Sequence, residues 1–212
     1  MRFALMDFIK HFEILLIIRR TMKAKSLRII ICLAIILGCS SCAKTVSWNG
    51  EKEVMALISM AEDVSDRHKA AGIVDYVFVG TVTRADNILP NRSKDHFDSY
   101  GSYHIHVDKN IKGELIEEVE ARKMGGFKKD GTMCIIVAEM PNGIRVEDSG
   151  LPEVGKQYVF MAYGQSDGSL VLSELFDNRE YDEELGAEYQ EYVANEIPFE
   201  RERYASKYEK TN

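Results

Sequence analysis

The 212-residue sequence has four cysteines, no long apolar run and few of the short motifs that mark catalytic sites. Its most apolar stretch, Ile29–Leu37, is nine residues long, well short of the about 20 residues with which a helix crosses a bilayer. No His-Glu-x-x-His pair is present, and Gly125-Gly126 lacks the rest of a phosphate-binding fingerprint. We also predict no serine nucleophile elbow. These absences argue against the common hydrolase and nucleotide-binding classes.

Basic residues are scarce downstream of residue 38. Residues 1–38 hold seven of the 27 Lys and Arg residues and two of the 34 Asp and Glu residues. The remainder therefore has 20 basic and 32 acidic residues, a formal net charge of −12. A surface this acidic repels phosphate backbones and anionic lipid headgroups. We therefore expect no nucleic acid partner and no adhesion to a membrane by charge alone.

A targeting segment is indicated near the N-terminus. The apolar run follows three basic residues and is followed directly by Gly38-Cys39, which is the layout of a secretory signal peptide. The tetrapeptide Ile36-Leu37-Gly38-Cys39 resembles the lipobox of bacterial lipoproteins. The resemblance implies cleavage between Gly38 and Cys39 and a diacylglycerol on the Cys39 thiol, with Cys42 as the second choice for lipidation. It also implies a lipid-anchored protein on the extracytoplasmic face of the cell membrane.

Several alternatives remain open for this region. A plain secretory signal or an uncleaved anchor would fit the same residues. We expect translation to start at Met22 rather than Met1; otherwise Leu15–Ile18 would form part of an extra membrane-associated helix. In an oxidising compartment Cys42 and Cys134 are the candidates for a disulfide, with two free thiols as the alternative.

The chain after residue 50 predicts a mainly β (α+β) fold. Apolar residues at three- and four-residue spacing predict an N-terminal helix over Glu51–Lys69, after a tether over residues 39–50. Asp177 followed by Glu180 resembles a capping box and predicts the first of two C-terminal helices in residues 177–212, the second over Phe199–Lys210. Between them, the sequence predicts strands over residues 73–83, 100–108, 117–124, 133–138, 155–163 and 169–175. Residues 51–176 should form a helix plus a small five- to six-stranded barrel or curled sheet.

Three segments carry a further resemblance. Tyr76–Val82, then Tyr103–Val107 running into Ile111-Lys112-Gly113, and Val154–Phe160 before Asp167-Gly168 resemble the OB-type barrel of netrin-like modules and tissue inhibitors of metalloproteinases. The likeness covers about half of the chain. Those inhibitors chelate a protease zinc with the amino group of an N-terminal cysteine. A lipid on Cys39 would hold that group at the membrane, so inhibition by that route is disfavoured, and an envelope protease inhibitor is an alternative function only.

His104 and His106 are the best candidates for metal ligands. Side chains alternate along a strand, so both imidazoles should face one side, where His96 or Asp108 could complete a set. Zinc needs three or four such ligands, and a metal-assisted hydrolase is therefore one alternative function. The simpler interpretation is a polar outward face. Cys134 lies in an apolar segment, which predicts an inert core thiol. Our first hypothesis is a non-catalytic module that binds a protein or a small ligand.

Overall fold

The computed structural model describes residues 46, 48–89 and 100–210. The predicted signal segment, Cys39, Cys42 and His96 lie outside these residues. Within these ranges, nine strands and two helices follow in chain order: β1 Lys52–Ser59, α1 Arg67–Ile73, β2 Tyr76–Asp86, β3 Tyr100–Lys112, β4 Glu118–Met124, β5 Gly126–Phe127, β6 Met133–Glu139, β7 Arg145–Glu147, β8 Gln157–Gly164, β9 Leu170–Leu172 and α2 Glu183–Ala194. No helix in the described part has the length and apolarity to cross a bilayer.

Five strands close into a barrel in the order β2-β3-β4-β9-β8. Neighbouring strands are antiparallel except β4 and β9, which are parallel. This confirms the predicted mainly β fold with a small OB-like barrel. The β2–β3 pair has three register shifts, and such irregularities allow long strands to bend sharply enough to close a small barrel.

Aromatic side chains fill the barrel. Tyr103 and Ile105 on β3 are fully buried, whereas His104 and His106, which alternate with them, are partly exposed. Inside, the Phe78 and Phe160 rings lie 5.4 Å apart, and Phe160 stacks on Phe176 at 5.8 Å. The interior is therefore a packed core, as expected for a barrel of this size.

A second core lies outside the barrel. Val77 and Val79 on β2 point away from the barrel interior and join α1, α2, β8 and the end of β6 in a separate apolar cluster. Both faces of β2 are thus covered from Tyr76 to Val79, which explains the continuous apolar sequence of these four residues. The remaining strands form a second sheet in the order β1-β6-β5, with β7 also paired to β6.

The helix predicted over Glu51–Lys69 is wrong for most of its length. Residues 52–59 form β1, which pairs in parallel with β6, and α1 begins only after Asp66, whose carboxylate accepts from the His68 amide at 3.0 Å. Val54 and Leu57, expected on the buried stripe of that helix, are 53% and 42% exposed. Backbone pairing with β6 outweighs the local spacing of apolar residues, which suits either structure.

The C-terminal helix is correct in kind but begins later than predicted. Asp182, and not Asp177, caps α2: its carboxylate accepts from the Leu185 amide at 2.8 Å. Asp177 instead accepts from the Tyr189 hydroxyl at 3.0 Å and pairs with Arg179. Leu185 and Tyr189 are buried, as the predicted apolar face requires.

The second C-terminal helix, predicted over Phe199–Lys210, is not formed. Residues 195–210, the C-terminal tail, contain no helix and run along the surface of α1 and the barrel. Arg201 and Arg203 place their guanidinium groups 2.5 and 2.8 Å from the Asp75 carboxylate. Arg203 also donates to the Gly72 carbonyl at 2.6 Å, at the end of α1. These long-range contacts replace the local bonds of a helix.

Candidate binding face

The outer surface of β3 and β4 carries a row of polar side chains that we call the polar face: Ser102, His104, His106, Asp108, Glu118 and Glu120. The strand register places His104 opposite Glu120 and His106 opposite Glu118. As predicted, both imidazoles lie on one side of β3, because the residues between them turn into the barrel.

The imidazole of His106 lies between two carboxylates. Its Nδ1 lies 2.7 Å from Glu118 Oε1, and its Nε2 lies 3.9 Å from Asp108 Oδ1. The hydrogen bond to Glu118 raises the pKa of His106, because the carboxylate stabilises the protonated ring. Asp108 also accepts from Thr81 and Gln157, each at 2.9 Å. These bonds hold one end of the polar face in a defined arrangement.

His104 has a different set of partners. Its Nε2 contacts the Arg84 guanidinium, and Arg84 in turn donates from Nε to Asp86 at 3.1 Å. Among the described residues no group of three or more His, Cys, Asp and Glu side chains is arranged to hold a metal ion. His96, the third residue of the predicted set, lies outside the described residues, so the zinc site stays a prediction.

An open groove of about 320 Å³ adjoins the polar face at Asp108. Its walls carry charges of both signs, with Lys109 and Lys210 facing Glu114 and Glu117. Asn110 shapes the rim, because its side chain donates to the Leu115 carbonyl at 3.0 Å and accepts from the Leu115 amide at 3.1 Å. The volume is at the lower end of small-molecule sites, and the charged walls suit a polar ligand.

Cys134 is a core residue, as predicted. Among the described residues it has no disulfide partner, it is 2% exposed, and burial raises the pKa of its thiol, which keeps it protonated and unreactive. Cys42 lies outside the described residues, so the Cys42–Cys134 disulfide stays a prediction.

The sequence prediction missed one motif that is typical of serine hydrolases. Gly164–Gly168 has the Gly-x-Ser-x-Gly spacing of a nucleophile elbow, with Ser166 at its centre. These residues form the turn of the β8–β9 hairpin, closed by the Gln165 amide donating to the Ser169 carbonyl at 2.9 Å. A nucleophile elbow requires a strand followed by a helix, so this turn does not have that geometry.

A buried ion pair was also missed. Lys123 Nζ lies 2.6 Å from Asp148 Oδ2, and both side chains are completely inaccessible to solvent. Burial raises the pKa of Asp148, although Lys123 opposes that shift. The alternation of β4 was the available signal, because Val119, Ala121 and Lys123 share the inward side. The pair joins β4 to the segment that follows β7.

No family model matches the chain, and no curated protein matches it significantly. The class that the structure defines is a small OB-like barrel with an added second sheet and a polar outer face.

Proposed function

We propose that this protein is an exported lipoprotein, held by lipid on Cys39 at the extracytoplasmic face of the cell membrane, and that its barrel is a non-catalytic binding module. The lipobox-like sequence supports the anchor. The compact unit Val46–Asn212 begins seven residues after Cys39. A short tether of small and polar residues would therefore link the lipid to the folded part.

The filled barrel is the observation that carries the binding role. Aromatic and aliphatic side chains occupy its interior, which leaves ligand recognition to the outside. OB-folds bind ligands on the face of their second and third strands, and here those strands are β3 and β4. The polar face lies on that surface, with Glu118, Glu120 and Asp108 as its carboxylates. These carboxylates are complementary to a partner that presents basic or hydrogen-bond-donating groups.

The anchor is tested by metabolic labelling with radioactive palmitate. Cys39→Ala should abolish incorporation, because the lipid forms a thioether with that sulfur and no other atom can replace it. Cys42→Ala is the matched control and should retain the label. Label that persists in Cys39→Ala and disappears in Cys42→Ala would move the site to Cys42. Label that is retained in both variants would refute the proposed lipidation of Cys39.

The non-catalytic role is tested by metal analysis of the purified protein. We expect no stoichiometric zinc and no change on His104→Ala, because His104 and His106 contact different partners, Arg84 and Glu118. His68→Gln, which alters a histidine on α1, serves as the control. One zinc ion per chain that is lost in His104→Ala but kept in His68→Gln would favour a metal-assisted hydrolase instead.

A further inference from the structure

Two exposed apolar side chains lie together on the outer side of the second sheet. Val54 and Leu57 pair with Ile135 and Val137 of β6. Because Ile135 and Val137 are two residues apart on one strand, their side chains and those of their partners lie on one side of the sheet. Val54 and Leu57 are 53% and 42% exposed. We call this pair, on the first strand that the structure describes, the β1 face.

The charges around the β1 face neutralise one another. Lys52, at the start of β1, lies 3.1 Å from Glu147 on β7. Arg145 lies 2.6 Å from Glu139. The strong negative charge of the chain after residue 38 is therefore not expressed here, in contrast to the polar face with its row of carboxylates. Paired charges are repelled by lipid headgroups far less than unpaired carboxylates are.

The β1 face also lies next to the proposed anchor along the chain. β1 begins 13 residues after Cys39, a distance of at most about 45 Å even for a fully extended chain. Trp48, between the anchor and β1, is 51% exposed, and its indole N–H donates to the Glu51 carbonyl at 2.9 Å. Tryptophan, with an apolar ring and one polar edge, is favoured at the boundary of membrane and water.

We infer that Trp48 and the β1 face dock on the outer surface of the bilayer that holds the anchor. This inference rests on the proposed lipid anchor. A second copy of the chain fits less well, because the register of β1 shifts between Val54 and Ala56. Such a bulge twists a strand and disfavours pairing of two copies along the edge of β1 that has no partner strand among the described residues.

Trp48 is the only tryptophan of the chain, so its fluorescence reports the contact directly. The lipidated full-length protein is reconstituted into phosphatidylcholine vesicles with or without brominated acyl chains, and vesicle flotation is measured in parallel. We expect the protein to float with the vesicles, its emission to shift to the blue, and brominated lipid to quench it. Val54→Glu/Leu57→Glu should still float but lose the quenching and the blue shift.

Ile116→Glu is the matched control, because Ile116 is 40% exposed and follows β3 on the barrel; it should be quenched like the unaltered protein. Circular dichroism verifies that each variant is folded. Protein that floats without quenching overturns the docking while leaving the anchor intact, and a dimer found by sedimentation in that case assigns the β1 face to a second copy. Quenching that survives in Val54→Glu/Leu57→Glu overturns the role of β1. Failure to float refutes the anchor itself.

Discussion

Lys123→Met is expected to lower the free energy of unfolding by about 3–5 kcal/mol, because it leaves a buried carboxylate without its partner. Asp148 keeps its hydrogen bonds from the backbone amides of Phe176, at 3.0 Å, and Gly150, but loses the ammonium 2.6 Å away. Neither side chain of the pair has any contact with solvent. Urea denaturation followed by circular dichroism measures the loss of stability. A change below about 1 kcal/mol would contradict the prediction, because it would show that this buried ion pair contributes no more to stability than an ion pair on the protein surface.

Two control variants separate charge from packing. Lys123→Met/Asp148→Leu removes both charges, so it should recover most of the loss, since paired apolar replacements of buried ion pairs are often neutral. Lys52→Met removes a half-exposed partner of Glu147 and should cost less than about 1 kcal/mol. A double variant no more stable than Lys123→Met would mean that shape, rather than charge, dominates at this position.

The loss in Lys123→Met should also depend on pH. Burial already raises the pKa of Asp148, and the ammonium of Lys123 is what opposes it. Without that ammonium the folded state binds the Asp148 proton more tightly than the unfolded state does. The variant therefore regains stability as the pH falls through the raised pKa, and is least stable above it.

Gly164→Ala is expected to detach the C-terminal tail and to cost about 1–3 kcal/mol, the usual penalty of overpacking. An added Cβ would lie 1.9 Å from the Tyr204 carbonyl oxygen and 2.9 Å from its carbon. Both are backbone atoms, so no side-chain rotation can relieve the contact. Thermal unfolding measures the loss, and trypsin cleavage at Arg201 and Arg203, where the tail binds Asp75, reports the release.

Gly155→Ala is the control for the tail. Gly155 has φ +87° and no atom within 4 Å of an added Cβ, so alanine there strains the backbone by about 1–2 kcal/mol but touches nothing. It should lower the melting temperature without exposing Arg201 and Arg203 to trypsin. If Gly164→Ala resists trypsin as well as Gly155→Ala does, the tail has adapted and the predicted detachment is wrong.

The barrel strands could be predicted because apolar and polar residues alternate along them. On β3 the order of Tyr103, His104, Ile105 and His106 specifies both the buried side and the polar face, because strand geometry leaves no other arrangement. The first strand could not be predicted in the same way. β1 pairs in parallel with β6, about 80 residues along the chain, and no local signal in residues 52–59 contains that partner.

The contacts within the polar face could not be predicted from local sequence either. Sequence periodicity placed His104 and His106 on one side of a strand, but their partners Arg84 and Glu118 come from neighbouring strands. The strand register, which depends on turns and bulges, decided those contacts. The buried ion pair of Lys123 could have been predicted from the sequence. A lysine on the inward side of β4 breaks the alternation of apolar and polar residues in that strand, and a buried lysine requires a buried counter-charge.

The contacts of the C-terminal tail have a consequence for how the chain folds during its synthesis. Arg201 and Arg203 complete the end of α1 across a separation of 126 to 131 residues. A chain that emerges from the ribosome with its N-terminal end first cannot make these bonds until residues 201–203 appear. The end of α1 would therefore lack these partners until about 130 further residues have been synthesised, and such long-range contacts form slowly.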